Sequence, residues 1–237
     1  MRILPLRRVD AALEPGPWPW ADHNRARIEA NWARRRAEKP SIFNGIVLAC
    51  TSLAIDGDVL TARFREADYA SFLAMIDFGF PEPGVGNCFG ATVLRSADGA
   101  IVLGEMAAHT ANGGRVYFPG GSFDLGDVRA DGRIDVERSI ERELLEETGL
   151  GVADVAFASG FMAVVDGPRT ALLREARSPL PALALRARID AFIAATAEPE
   201  LAGVRLVWSP ADVETGVMPA YVGAYVQAAL ARQPQVG

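Results

Sequence analysis

The sequence predicts an α/β fold, with helices packed on a mixed sheet and a small N-terminal α+β subdomain in front. Three observations point there. From Phe89 onward, strand-like runs are interleaved with helix-like runs, the order expected of helices covering a sheet. Half of the 237 residues are hydrophobic and only 23% are charged, so a sizeable core can be buried. Pro81, Pro83, Gly84 and Gly86 punctuate the chain and suggest a boundary between residues 1–85 and residues 86–237.

The N-terminal part reads as helix, hairpin, helix. PGPWPW at 15–20 excludes a regular helix or a central strand. Ala21 to Lys39 is rich in Ala, Arg and Glu, with Ile28 and Trp32 four apart, and should be a helix stopped by Pro40. Gly45–Thr51 and Val59–Phe64, joined through Asp56-Gly57-Asp58, read as a hairpin. Asp68 to Phe78 should be a short helix capped by Asp68.

In the second part, Phe89–Leu94 and Ile101–Glu105 are expected strands around Ala97-Asp98-Gly99. Val116–Phe118 is a short strand before Pro119-Gly120-Gly121. Val136–Thr148 is expected to be a helix, Val155–Val165 and Thr170–Arg174 strands, Leu180–Ala197 a helix, Val204–Trp208 a strand and Ala220–Arg232 a closing helix.

The net charge is −6 and no basic stripe occurs, which argues against nucleic acid as a bulk partner. An acidic protein working on phosphates would need a cation to bridge the repulsion. Cys50 and Cys88 are too few for a disulfide framework, and with only His23 and His109 a zinc site has no paired spacing to rest on. No apolar h-region opens the chain and no run is long enough to span a bilayer. The expectation is a soluble, cytoplasmic protein with no membrane partner.

The chemistry is concentrated in PGGSFDLGD (119–127) and RELLEETGL (142–150). Successive helical residues advance by about 100°, so Glu147 lies about 40° from Glu143 on one side and Glu146 about 60° on the other. Three carboxylates thus share one face, while Ile140 and Leu144 fall on the neighbouring, sheet-facing side. Gly149 suits the left-handed position that ends a helix. Clustered carboxylates repel and raise one another's pKa. A hard divalent cation with oxygen ligands offsets that cost, and Mg²⁺ typically takes one or two carboxylates plus waters and substrate phosphates. Gly120 and Gly121 allow close backbone approach, and Asp124 and Asp127 add acids nearby. Arg142 can pair with Glu146 one turn on. A solvated acidic helix face after an ordinary glycine turn is the bland alternative, and the joint pattern is far more specific than either half.

This pattern resembles the Nudix box, G-x5-E-x7-R-E-U-x-E-E-x-G-U, with U a bulky aliphatic. Arg142, Glu143, Leu144, Glu146, Glu147, Gly149 and Leu150 match its second half. Gly121 matches the first, with Asp127 in place of the usual Glu. Fourteen residues separate Asp127 from Arg142 where the pattern has seven, the excess falling at VRADGRID, a polar segment able to loop out cheaply. The resemblance implies an α/β/α sandwich and Mg²⁺- or Mn²⁺-dependent hydrolysis of a nucleoside diphosphate linked to another moiety. It further implies Glu143 and Glu147 as metal ligands, with the Gly121 carbonyl and Asp127 as further ones. Glu146 would be an additional ligand or the base for water, and Arg142 an orienting partner.

KPSIFNG (39–45), two strands and READYASFLAM (65–75) are also loosely similar to the Nudix subgroup that cleaves UDP-glucose to UMP and glucose 1-phosphate. That similarity makes a nucleotide sugar the narrower expectation. Coenzyme A, a dinucleotide and a non-catalytic nucleotide-sensing module are the alternatives. A homodimer contact is another role open to the N-terminal subdomain. Arg115 and Gly120 are candidates for substrate binding, Arg169 and Arg174 weaker ones, and Glu198 or Glu200 could supply a carboxylate from outside the box. Trp18, Trp20 and Trp32 more often cover a core than stack on a base.

Overall fold

The computed structural model describes residues 1–110 and 112–231. In chain order its elements are β1 (Arg2–Leu6), β2 (Arg8–Leu13), α1 (Pro19–His23), α2 (Arg25–Glu38), β3 (Ile46–Asp56), β4 (Val59–Asp68) and α3 (Tyr69–Asp77). Next come β5 (Asn87–Arg95), β6 (Ile101–Met106), β7 (Val116–Tyr117), β8 (Gly120–Ser122), α4 (Val136–Thr148) and β9 (Ala156–Phe157). The remainder is β10 (Phe161–Asp166), β11 (Arg169–Arg177), α5 (Ala182–Ala195), β12 (Leu201–Val207) and α6 (Ala220–Leu230).

The large sheet runs β1-β10-β11-β5-β6-β12, with β7, β8 and β9 attached to β6, β5 and β11. Only β5 and β11 pair in parallel, so the sheet is mixed. Its central strands are apolar on both faces. Val93, Ile101 and Leu103 pack with Val222 and Val226 of α6, whereas Leu94 and Val102 pack with Leu144 of α4 and with Leu185 and Ile189 of α5. Successive side chains of a strand point to opposite faces, so this alternation makes an α/β/α sandwich, as the sequence predicts.

The second sheet, β2-β4-β3, turns one face to the helices α1, α2 and α3 and the other to α4. Ala49 belongs to the first core, and its neighbours Leu48 and Cys50 belong to the second. The hairpin turns at Gly57, whose φ of 56° is costly for other residues. Asp68 caps α3 by accepting from the Ser71 N–H at 2.7 Å. All three tryptophans 18, 20 and 32 belong to or pack against the core under α2 and α3, and the Trp18 indole donates to Glu82 at 3.0 Å.

Several expectations shift. PGPWPW is not wholly irregular: Pro19 opens the short α1 at a position where its missing N–H is not needed. Strands β1 and β2 carry no clear alternation and were not expected. Pro5 is tolerated because β1 is an edge strand, paired only with β10. The expected division at residue 85 would assign β1 to the first part, although β1 extends the large sheet. Val155–Val165 is two strands interrupted at Gly160, whose φ is 75°. The closing helix ends at Leu230, and Arg232 lies outside the described residues.

Candidate active site

Helix α4 is fixed at both ends and along one side. Asp135 accepts from the Arg138 N–H at 3.1 Å, and Gly149 closes the helix in the left-handed conformation. Ile140 and Leu144 are fully buried against the sheet. That seating leaves Glu143 and Glu147 facing β8.

Three glycines let the helix, β5 and β8 come together. A Cβ on Gly90 would lie 2.7 Å from Ile140, and one on Gly120 would lie 2.3 Å from the Gly90 carbonyl oxygen. A Cβ on Gly121 would lie 2.7 Å from the Glu143 carboxyl group. Gly120 and Gly121 face Ala91 and Gly90 in antiparallel register, so β5 sets the height of the glycine pair against the helix.

The carboxylates grade from buried to exposed. Glu147 is buried beside the Gly120 backbone and has an oxygen without any hydrogen-bond partner. Burial first, then the charges of Glu143 and Glu200, push its pKa well above the carboxylate range. Glu143 is raised to about 7, chiefly by burial; Arg142 opposes that rise and Glu146, Glu200 and Asp127 add to it. Glu146 is exposed. Glu200, just before β12, thus acts on both inner carboxylates from outside α4.

Arg142 ties these groups together. One terminal nitrogen lies 3.0 Å from both Glu143 and Glu146; the other is 3.3 Å from Asp127 and 3.5 Å from Asp124. The buried Asp127 carboxylate also accepts from the Ser139 hydroxyl at 2.9 Å and from the Asp124 N–H at 3.1 Å. Three protein donors therefore surround it, two of them on one oxygen alone. Asp127, which the sequence offers as a metal ligand, thus faces Arg142 and Ser139.

The long spacer does not loop out. Val128 and Ile134 bridge across a tight turn at Gly132. Leu13 donates to the Gly132 carbonyl and Ile134 to the Ala11 carbonyl, both at 2.9 Å. Ile134 is buried in the core that joins β2 and β4 to α4. The extra residues thus dock onto β2 and link the smaller sheet to α4.

A cleft of about 570 Å³ opens from Glu147, Gly120 and Gly121 towards α2 and α3. Aromatic side chains on its walls include Tyr69, Phe72, Phe89 and Tyr221. Lys39, Arg115 and Arg169 also line it, and among the described residues none of the three has a carboxylate partner within ion-pair distance. Arg115 is held by the Gly216 carbonyl at 3.5 Å, and Arg169 lies over the Phe80 ring at 5.0 Å. Arg174 is used elsewhere, pairing with Glu137 and Glu141 to hold α4 to β11. His109 is exposed.

No protein-family model and no curated protein matches the chain. Among solved structures it is similar to a Nudix hydrolase from M. smegmatis (TM-score 0.38, 17% identity, 64% of this chain and 89% of that one). It is also similar to a putative Nudix hydrolase family member from Chromobacterium violaceum (0.38, 16%, 61% and 77%) and to the MutT protein from Methanosarcina mazei Go1 (0.34, 16%, 59% and 89%).

The sequence did not single out Asn87, Phe89 or Lys39, and it offered Tyr69 only through a loose resemblance. Each sits at or near the end of an element and carries no motif. Only the docking of the smaller sheet brings α2 and α3 over the large one.

Proposed function

We propose that the protein is a Nudix-type hydrolase that cleaves a phosphoanhydride in a nucleoside diphosphate derivative with the help of Mg²⁺ or Mn²⁺. One observation carries this reading: the buried, unpartnered oxygen of Glu147 beside Glu143, at the mouth of a cleft with unpaired cations. A buried carboxylate without a partner is costly, and a cation is the partner its chemistry fits. Among the described residues no three His, Cys, Asp or Glu side chains form a ready-made cage. That suits Mg²⁺, which keeps several waters and relies on substrate phosphates.

In this reading Glu147 and Glu143 hold the cation, with the Gly121 backbone beside them. When bound, the cation offsets phosphate charge and acidifies water. Glu146, exposed at the rim, is the candidate to receive the proton of the attacking water. Arg142 positions Glu143 and Glu146, and Asp127 positions Arg142. Arg115 and Arg169 offset the charge of the diphosphate, and the Gly120 backbone borders it. The aromatic walls suit a nucleoside, and a nucleotide sugar is the narrower proposal.

The test is product analysis on UDP-sugars, ADP-sugars, dinucleotides and coenzyme A, with Mg²⁺ and with chelator. Metal-dependent release of a nucleoside monophosphate supports the reading. Binding of all these compounds without turnover would favour a sensing module instead.

A further inference from the structure

We propose that the end of the cleft remote from the carboxylates is a nucleobase subsite, in which the side-chain amide of Asn87 anchors the edge of the base. The inference rests on the nucleoside diphosphate reading above and adds the recognition element that reading lacks. The side-chain oxygen of Asn87 is buried and has no hydrogen-bond partner, although the residue lines the cleft. An unmet buried acceptor is destabilising unless a donor reaches it. The last torsion of an asparagine side chain is broad, so the amide can turn to a ligand at little cost.

Its position fits. Asn87 and Phe89 are two apart on β5 and so share one face. Ala91, two further along, is opposite Gly120 in the register. At about 3.3 Å per residue, Asn87 lies about 10–13 Å along the strand from the positions opposite the glycine pair, room for a nucleoside and its first phosphate. Tyr69 and Phe72 offer aromatic surface across the cleft. Arg169, directly opposite Asn87 in the parallel register, places a cation beside it.

An asparagine amide presents one acceptor and one donor in a plane, which matches base edges that carry a donor beside an acceptor. Aspartate there would accept only, and the edge it fits is guanine, which offers two neighbouring N–H donors. The residue identity should therefore set the ranking among bases.

The experiment is calorimetric titration of the full chain with UMP, CMP, AMP and GMP, and with ribose 5-phosphate as a ligand lacking a base. Wild type should bind at least one nucleotide tenfold or more tightly than ribose 5-phosphate. Asn87→Leu should weaken that nucleotide by about ten- to a hundredfold and bring the ratio towards one. Asn87→Asp, nearly isosteric and so a guard against simple misfolding, should move GMP up the ranking. If no nucleotide outbinds ribose 5-phosphate, or if both variants keep the wild-type ranking, the subsite is not there. Because binding is read without turnover, an inactive enzyme with an Asn87-dependent ranking would sink the hydrolase reading and leave this one standing.

Discussion

The carboxyl group of Glu143 lies against the backbone of Gly121, so close that a methyl group there would sit 2.7 Å from it. Two halves of a motif, 22 residues apart in sequence, meet at this contact. Gly121→Ala should therefore displace the Glu143 side chain from the glycine loop while leaving the core of the sandwich intact. Activity on the preferred phosphoanhydride is expected to drop about a hundredfold or more, in line with misplacing a group that must hold the reacting partners. Circular dichroism should be unchanged. Wild-type activity in this variant would mean that Glu143 does not act where the structure puts it.

Asp127 should behave as a positioning residue. Asp127→Asn removes the charge that faces Arg142 and leaves the buried Ser139 hydroxyl with a poorer acceptor. Stability is expected to fall by about 1–3 kcal/mol, and kcat should fall while Mn²⁺ affinity, followed by electron paramagnetic resonance, stays within a few-fold. A parallel collapse of Mn²⁺ affinity and kcat would restore Asp127 as a ligand.

The helix half of this site could be read from the sequence because it depends on local periodicity. Glu143, Glu146 and Glu147 share a face, Ile140 and Leu144 the next one, and Val136–Thr148 has the expected bounds. The gradient along that face could not be read. Which carboxylate is buried depends on β8, whose three residues pair with β5 from far along the chain. The spacer misled for the same reason: VRADGRID looks like a free polar turn until β2 is there to accept its hydrogen bonds. Strands β1 and β2 were missed because Arg2–Leu13 has no clean alternation, and their pairing partners, β10 and β4, lie far along the chain.

A pH dependence follows from Glu143. Its folded pKa of about 7 is above the ordinary carboxylate value of 4.5. Between those values the folded state binds more protons than the unfolded state, so stability falls as pH rises. Glu147 shifts in the same direction. In chelator, the wild type should lose about 3 kcal/mol relative to Glu143→Gln between about pH 5 and about pH 8. Added Mg²⁺ should raise the melting temperature more at the higher pH. Thermal melts at the two pH values check both statements, and a wild type that gains stability relative to the variant would contradict them.

The docked spacer gives a separate test of the fold. Ile134 is buried between β2, β4 and α4, so Ile134→Ala should cost about 2–4 kcal/mol. Hydrogen exchange should quicken at Ala11–Leu13 and in the spacer before the central strands β5 and β11 are affected. Uniform loss of protection across both sheets would show that the spacer is not a local clasp.

In the proposed function, the buried Glu147 carboxylate holds the cation on which turnover depends. Glu147→Gln keeps the shape and removes the charge. Steady-state release of nucleoside monophosphate from the best substrate, across a Mg²⁺ titration, is the most direct measurement. The expected result is a loss of kcat of three orders of magnitude or so, comparable to removing a major electrostatic stabiliser, with a folded, thermally stable protein. Unchanged Mg²⁺-dependent turnover in Glu147→Gln would contradict it.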